Sequence, residues 1–314
     1  MLLEGVRVLD LTRLLPGGYC TRLLLEQGAV VVKVEPPEGD PLRRMPAGDA
    51  LFQTLHAGKR PITLDLRSAE GRKAFSEQVR GSDVVVEGFR PGVMERLQLG
   101  YEALAALNPR LVYCSITGYG STGELEARAG HDLNYLARSG ALSLMPRAEA
   151  IPVIPGLQVA DLAGGLQAAF LIAAALSQRS STGRGARVQV SMTDLMRDWT
   201  GPARAARDAG LPGLGLSGEF PCYHVYQVAD GWMTVAALEP KFWAALCEVL
   251  GRADLISSQF DPAAIGELQP VFKSATRSDW ERRFAGRDVC VEPVLTLEES
   301  EAGGAAAREG GPSY

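Results

Sequence analysis

Between residues 6 and 120, short runs rich in Val, Ile and Leu alternate with longer stretches whose apolar residues recur at helical spacing. The runs are VRVLDL (6–11), VVVKVE (30–35), PITLDL (61–66), DVVVEGF (83–89) and LVYCSITGYG (111–120). Residues 17–27 read as a helix ended by Gly28, and 68–79 and 91–106 as two more. Apolar strands separated by helices imply a mostly parallel sheet covered on both faces. The expected fold is α/β, a doubly wound, Rossmann-like domain.

Such sheets bind ligands beyond the carboxyl ends of their strands, which directs attention to TRLLPGG, EPPEGDPLRR, EGFRPGV and TGYGSTG. A dinucleotide site would want G-x-G-x-x-G after the first strand and an acid ending the second. Glu35 meets the second demand, TRLLPGGYC fails the first, and no P-loop pattern occurs.

Farther on, GLQVADLAGG leads into an apolar helix reaching about Gln178. Its most apolar part, Leu162 to Leu176, is shorter than the roughly 20 residues a bilayer span needs and reads as a buried helix. QVSMTDLM follows as a strand or helix start, and 198–217, rich in Gly, Pro and Ala, reads as a linker. YHVYQVADGWMTVAAL reads as a hairpin turning at Ala229-Asp230-Gly231, with helices near 241–250 and 278–285. The expected organisation is a large domain of 1–197 completed by 291–314, a linker at 198–217, and a smaller α+β domain at 218–290. The last residues, EAGGAAAREGGPSY, carry no apolar pattern and are expected to be mobile.

A formal charge of −5 argues against a chain that coats nucleic acid, which needs many Lys and Arg phosphate contacts, but allows a small anionic ligand. The five cysteines form no C-x-x-C pair and are odd in number, so neither a zinc knuckle nor a complete disulfide framework is indicated, and a reducing cytoplasm is expected. The start, MLLEGVRVLDLTR, lacks the basic region and long apolar stretch of a secretory signal.

Three residues stand out once the sheet is placed. His131, one of only three histidines, sits in GHDLNY directly before an aspartate. It is either a catalytic base or a histidine satisfied by local hydrogen bonds. Asp161 opens the apolar helix and is either only a cap or a group placed at the helix's positive end. Glu239 ends a hairpin strand before Pro240 and is either a helix-start residue or a functional carboxylate. His56 receives no role, His224 is expected to pack or cap within the hairpin, and the thiols look structural.

The order of LEGVRVLDLTRLLPGGYCTRLLLEQGAVVVKVEPPEGDPLR, AGKRPITLDLRSAEGR, DVVVEGFRPGVMERLQLGYEAL, NPRLVYCSITGYGSTG and VADLAGGLQAA resembles the family III coenzyme A transferases, the CaiB/BaiF group, from Leu3 to about Glu298. Within that group the racemase branch is closer. Racemases carry G-H-D-x-N-Y, an aspartate opening a glycine-containing helix, and A-x-E-P-x-F after a D-G turn; here these are Gly130 to Tyr135, Asp161, and Ala237 to Phe242. Transferases have a glycine run in the later hairpin region, and VAALEPKFW has none. The chain is shorter than typical members, with a trimmed linker and second domain.

The resemblance implies catalysis by His131, Asp161 and Glu239 on a 2-methylacyl-CoA thioester. Inverting such a centre means removing the α-proton on one face and returning one on the other. His131 and Asp161 would be the two bases, Glu239 would orient the imidazole, and burial would raise the Asp161 pKa. Backbone N–H groups after Asp161 would hold the enolate oxygen. Arg90, Lys59, Arg60 and Arg43 or Arg44 are the candidates for coenzyme A phosphates. No metal and no cofactor beyond the substrate's coenzyme A is implied. Relatives form interlocked homodimers whose sites combine both chains. The alternatives are a CoA transferase with Asp161 as nucleophile and a non-catalytic acyl-CoA binder; the acyl group stays open.

Overall fold

The alternation is realised strand for strand in a computed structural model that describes residues 1–148, 151–211 and 214–307. Six strands form one parallel sheet: β1 (Arg7–Asp10), β2 (Val30–Glu35), β3 (Arg60–Thr63), β4 (Val84–Glu87), β5 (Val112–Thr117) and β8 (Arg187–Ser191), in the order β3-β2-β1-β4-β5-β8. The connecting helices are α1 (Leu14–Glu26), α2 (Gly48–His56), α3 (Ala69–Arg80), α4 (Val93–Arg96) and α5 (Tyr101–Leu107). They are followed by α6 (Asp132–Ser139), the two-residue strands β6 (Arg147–Ala148) and β7 (Ile151–Pro152), and α7 (Val159–Thr182).

Alternate strand residues feed two cores. On one face Val8, Val31, Val84, Val86, Val112, Cys114 and Ile116 pack with residues of α1 and α7. On the other, Leu9, Val32, Val34, Val85 and Tyr113 pack with residues of α3 and α5. Burial on both faces is why these strands read as continuous apolar runs. The order of strand addition reverses between β1 and β4: β1, β2 and β3 step outward to one edge of the sheet, and β4, β5 and β8 to the other. That crevice is where a doubly wound sheet accepts a ligand.

The helix expected at 91–106 is two helices. Gln98 adopts a left-handed φ of 60° and Gly100 is extended, so α4 ends and α5 begins anew. The segment after β2 contains α2, which the turn-rich EPPEGDPLRR conceals. Helix α7 spans 24 residues and is long and apolar enough by composition to cross a membrane. It is a core helix of the first unit instead, with Ala160, Ala163, Ala168 and Ile172 buried, and it packs against α1. A Cβ on Gly165 would lie 2.4 Å from the Pro16 carbonyl oxygen, so this close helix crossing requires glycine there.

The chain divides into two units, Met1–Gly201 and Pro202–Tyr314. The stretch expected to be a linker is largely helical, in α8 (Met192–Trp199) and α9 (Gly201–Asp208). The second unit holds an antiparallel sheet of β9 (Tyr223–Val228), β10 (Gly231–Ala236) and β11 (Val291–Pro293), with helices α10 (Pro240–Val249), α11 (Ala263–Lys273) and α12 (Arg277–Phe284). Trp243, Trp280 and Tyr226 are its largest buried rings, and Tyr226 stacks on Phe272 at 4.5 Å between centroids.

The expectation that residues from 291 onward return to the large domain is corrected. Strand β11 pairs with β10, Val291 opposite Val235, so hydrogen bonding assigns this segment to the second unit. The supposedly mobile tail begins as helix α13 (Leu297–Ala307), whose Glu299 carboxylate accepts from Arg277 at 2.7 and 2.9 Å. Residues 308–314 of that tail lie outside the described residues.

Candidate active site

Four segments converge at the carboxyl ends of the central strands: the Thr12–Gly17 turn after β1, Gly88–Pro91 after β4, Ile116–Tyr119 at the end of β5, and the loop before α6. They enclose a cavity of about 300 Å³ that His131 and Asp161 both line, together with Arg13, Arg90, Arg128 and Tyr119. The imidazole and carboxyl that stand 30 positions apart in sequence therefore face one space.

Each residue of GHDLNY has a local reason to be there. Gly130 packs where a Cβ would come within 2.8 Å of the Tyr135 ring, and the Tyr135 hydroxyl donates to the Gly130 carbonyl. Asn134 accepts the backbone N–H of His131 at 3.1 Å, fixing His131 as the N-cap of α6. This leaves the exposed His131 side chain on the cavity wall. The Asp132 carboxylate reaches across to α7 and accepts the N–H groups of Ala160 at 2.7 Å and Asp161 at 3.1 Å. It caps a helix other than its own, with its charge at that helix's positive end.

Asp161 is in the first turn of α7 and half-buried. Burial, reinforced by the negative charge of Asp132, pushes its carboxyl from 3.8 up to about 7. Such a group is poised between acid and carboxylate at neutral pH, which suits proton transfer in either direction. The expected rise in its pKa is thus present, and Asp132, to which the sequence reading gave no separate role, contributes to it.

The expected oxyanion donors are not available. The N–H groups of Ala160 and Asp161 are taken by Asp132, and that of Leu162 bonds the Gln158 carbonyl at 3.0 Å. The glycines after Asp161 serve packing, Gly164 against Met192 and Gly165 against α1. At the first turn of α6, by contrast, no acceptor among the described residues meets the backbone N–H groups of Asp132 and Leu133.

A second cavity, of about 480 Å³, adjoins the first and shares Thr12, Arg13, Gly88, Phe89 and Arg90 with it. It extends over the carboxyl ends of β1, β2 and β3, along Lys33, Pro36, Leu64 and Arg67. Arg90, a candidate for the coenzyme A phosphates, lines both spaces. Arg13, 5.0 Å over the Phe89 ring, lines both too and was missed. Its signal was its position directly after the first strand.

The other expected cations lie elsewhere. Lys59 is a correction: it is buried, its ammonium 3.1 Å from Asp10 and 2.6 Å from the Thr21 hydroxyl, and is spent on a structural ion pair. Asp10 also receives Thr12 at 2.6 Å and faces Lys33 at 4.0 Å, and Lys33 pairs with Asp40 at 2.9 Å. Burial raises the Asp10 carboxyl, but the two lysines and the two hydroxyls outweigh it and hold the group well below its usual range. His56 belongs to this cluster, 2.9 Å from Lys59, and burial plus that charge push it down to about 3. Arg43 lies flat on Phe52 at 3.4 Å and pairs with Glu35 at 3.6 Å. Arg44 is exposed in the short turn after β2, and Arg60, also exposed, opens edge strand β3 rather than ending it.

Glu239 belongs to the second unit and is exposed at the N-terminal end of α10. The His224 Nδ1–H donates to the Gly218 carbonyl at 2.7 Å and the ring packs on Tyr226, as expected of a structural residue. Among the described residues no group of three or more His, Cys, Asp or Glu could hold a metal ion.

The sequence model of CoA-transferase family III matches residues 3–310. Human α-methylacyl-CoA racemase is 37% identical over 311 residues, covering 95% of this chain and 79% of its own. A succinyl-CoA:mesaconate CoA-transferase of Haloarcula hispanica is 38% identical over 284 residues, covering 82% of this chain and 70% of its own. The crystal structure of a CAIB/BAIF family protein from Brucella suis superposes with a TM-score of 0.85 at 31% identity, covering 98% of this chain and 88% of that one. The chain belongs to CoA-transferase family III.

Proposed function

We propose that this enzyme-family chain racemises 2-methylacyl-CoA thioesters by two-base α-proton transfer. The observation that carries the reading is that His131 and Asp161 line one cavity at the sheet's switch point. A thioester lying between them would lose its α-proton to one group and regain a proton from the other. Asp161, at about 7, holds or releases a proton near neutrality, and an imidazole can likewise act in either sense.

The enolate oxygen would be held by the first N–H groups of α6, those of Asp132 and Leu133. Losing one donor of this kind costs about 3 kcal/mol in the barrier. Coenzyme A would lie along the second cavity with its phosphates near Arg90 and Arg13, which supply fork-shaped donors at the junction of the two spaces. The reacting carbon is thereby placed between the bases by binding energy gathered far from it.

We propose further that Glu239 orients the His131 imidazole and that the enzyme is a homodimer. Exposed apolar side chains on the first unit, Phe170 at 64% and Ile151 at 69%, support an interface there. The free thiols suit a reducing, cytoplasmic setting.

CoA transfer is the second reading, favoured by the transferase relative at 38% identity; the Asp161 carboxylate would then attack the thioester carbonyl, forming an acyl-aspartyl anhydride as the C–S bond breaks and coenzyme A leaves as its thiolate. One experiment separates the two. A single-epimer 2-methylacyl-CoA is incubated in deuterated water with and without a free carboxylic acid. Racemisation with α-deuterium uptake, independent of the acid, supports the first reading. Hydroxylamine-trappable acyl enzyme and acid-dependent CoA exchange without α-deuterium would replace it.

A further inference from the structure

A third cavity, of about 260 Å³, lies against the other face of the sheet, beside Glu87 at the carboxyl end of β4, along β5 from Tyr113 to Thr117, and beside Arg187 and Gln189 of β8. It shares Phe89, Arg90, Pro91, Thr117 and Glu126 with the cavity of His131 and Asp161, so the two spaces adjoin. Parallel register sets a row of polar side chains along its floor: Glu87 is paired with Ser115, and Ser115 with Gln189.

Two of these are enclosed yet not fully used. Ser115 is 6% exposed and its hydroxyl has no hydrogen-bond partner among the described residues. Glu87, also 6% exposed, accepts the Phe89 N–H at 2.7 Å and the Tyr113 hydroxyl at a long 3.3 Å. Burial pushes its carboxyl up to about 7, so near neutrality it can donate as well as accept. A buried hydroxyl left unpaired costs about 1–3 kcal/mol, which an occupant of matching chemistry would recover.

We propose that this cavity receives the distal part of the acyl group and that the group carries an uncharged hydroxyl there, met by Ser115 and Glu87. An unmodified alkyl chain would leave the Ser115 hydroxyl without a partner and offer Glu87 nothing beyond Phe89 and Tyr113. A carboxylate is disfavoured because Glu87, Glu95 and Glu126 line the cavity against only Arg90 and Arg187. At about 260 Å³ against about 480 Å³ for the second cavity, the space suits a short chain. This specificity rests on the thioester reading proposed above.

The test compares 2-methylhexanoyl-CoA with its 6-hydroxy derivative on the full chain, reading Kd by calorimetry and α-deuterium uptake separately. The hydroxylated thioester should bind at least tenfold more tightly, and Ser115→Ala should bring the ratio of the two Kd values close to one. Glu87→Gln, which retains a donor and an acceptor, should preserve most of the preference. Thermal melting of Ser115→Ala should match or exceed that of the parent, since the change removes an unpaired hydroxyl. Equal or weaker binding of the hydroxylated compound, or an undiminished preference in Ser115→Ala, overturns the inference. A preference in Kd with no deuterium uptake from either compound upholds the inference and refutes the racemase reading; uptake without preference does the reverse.

Discussion

Replacing Asp132 with Asn tests whether one carboxylate both caps α7 and tunes the base beside it. Asn keeps an acceptor oxygen for the Ala160 and Asp161 N–H groups, now 2.7 and 3.1 Å from Asp132 Oδ1, so the helix start persists. The variant loses the interaction of a negative charge with the helix's positive end, about 0.3–1 kcal/mol. Asp132→Ala loses the cap as well, and should cost about 1–2 kcal/mol. The kinetic effect separates the two roles. Asp161 is displaced from 3.8 to about 7, chiefly by burial and secondarily by Asp132. Removing the charge while keeping burial should lower the Asp161 pKa by less than half that displacement. For the epimer whose proton Asp161 removes, the carboxylate form is required, so kcat/KM falls on the acid side of this pKa. In Asp132→Asn that acid limb should move to lower pH, giving a variant relatively more active below neutrality than its parent. For the opposite epimer, where Asp161 must arrive protonated, the alkaline limb should move down by the same amount. The assay is the pH dependence of α-deuterium uptake measured from each epimer. An acid limb that stays in place or moves up refutes the assignment of Asp132 as the charge that raises Asp161.

Three further outcomes are expected. Lys59→Met should destabilise the fold by about 3–5 kcal/mol in denaturant unfolding, because Asp10 stays buried with one lysine fewer, while coenzyme A ester affinity changes less than twofold. Gly165→Ala forces a Cβ to within 2.4 Å of the Pro16 carbonyl and should cost about 1–3 kcal/mol by the same measurement. Glu87 has its carboxyl raised from 4.5 to about 7, so the folded state holds this proton more tightly than the unfolded chain; the stability it contributes is full below about 4.5 and is lost as pH rises through about 7. The Tm of the parent should therefore decline more steeply between pH 5 and 8 than that of Glu87→Gln.

Local order was legible where it depends on residues close in the chain. VVVKVE, for example, is a strand with those bounds, because a run of β-branched residues buried on both faces leaves no other reading. The doubly wound topology followed from the alternation alone, and the cavity's position followed from the topology. His131 and Asp161 were recognisable as candidates, each with a bland alternative that no local pattern could remove. What the tertiary structure decided was the use of charge. Lys59 and Arg90 were both candidates for coenzyme A phosphates, yet one side chain turns inward to Asp10 and the other lines three cavities. Asp132 looked like half of a His-Asp pair and proved to cap a helix 28 positions away. Strand β11 joined the second unit because pairing with β10 satisfied its backbone. Periodicity is set by steric preferences and burial repeated along one segment, so it is written in that segment. The partner of a charged side chain or a sheet edge is set by which distant groups share a low-dielectric space, and only the folded chain fixes that.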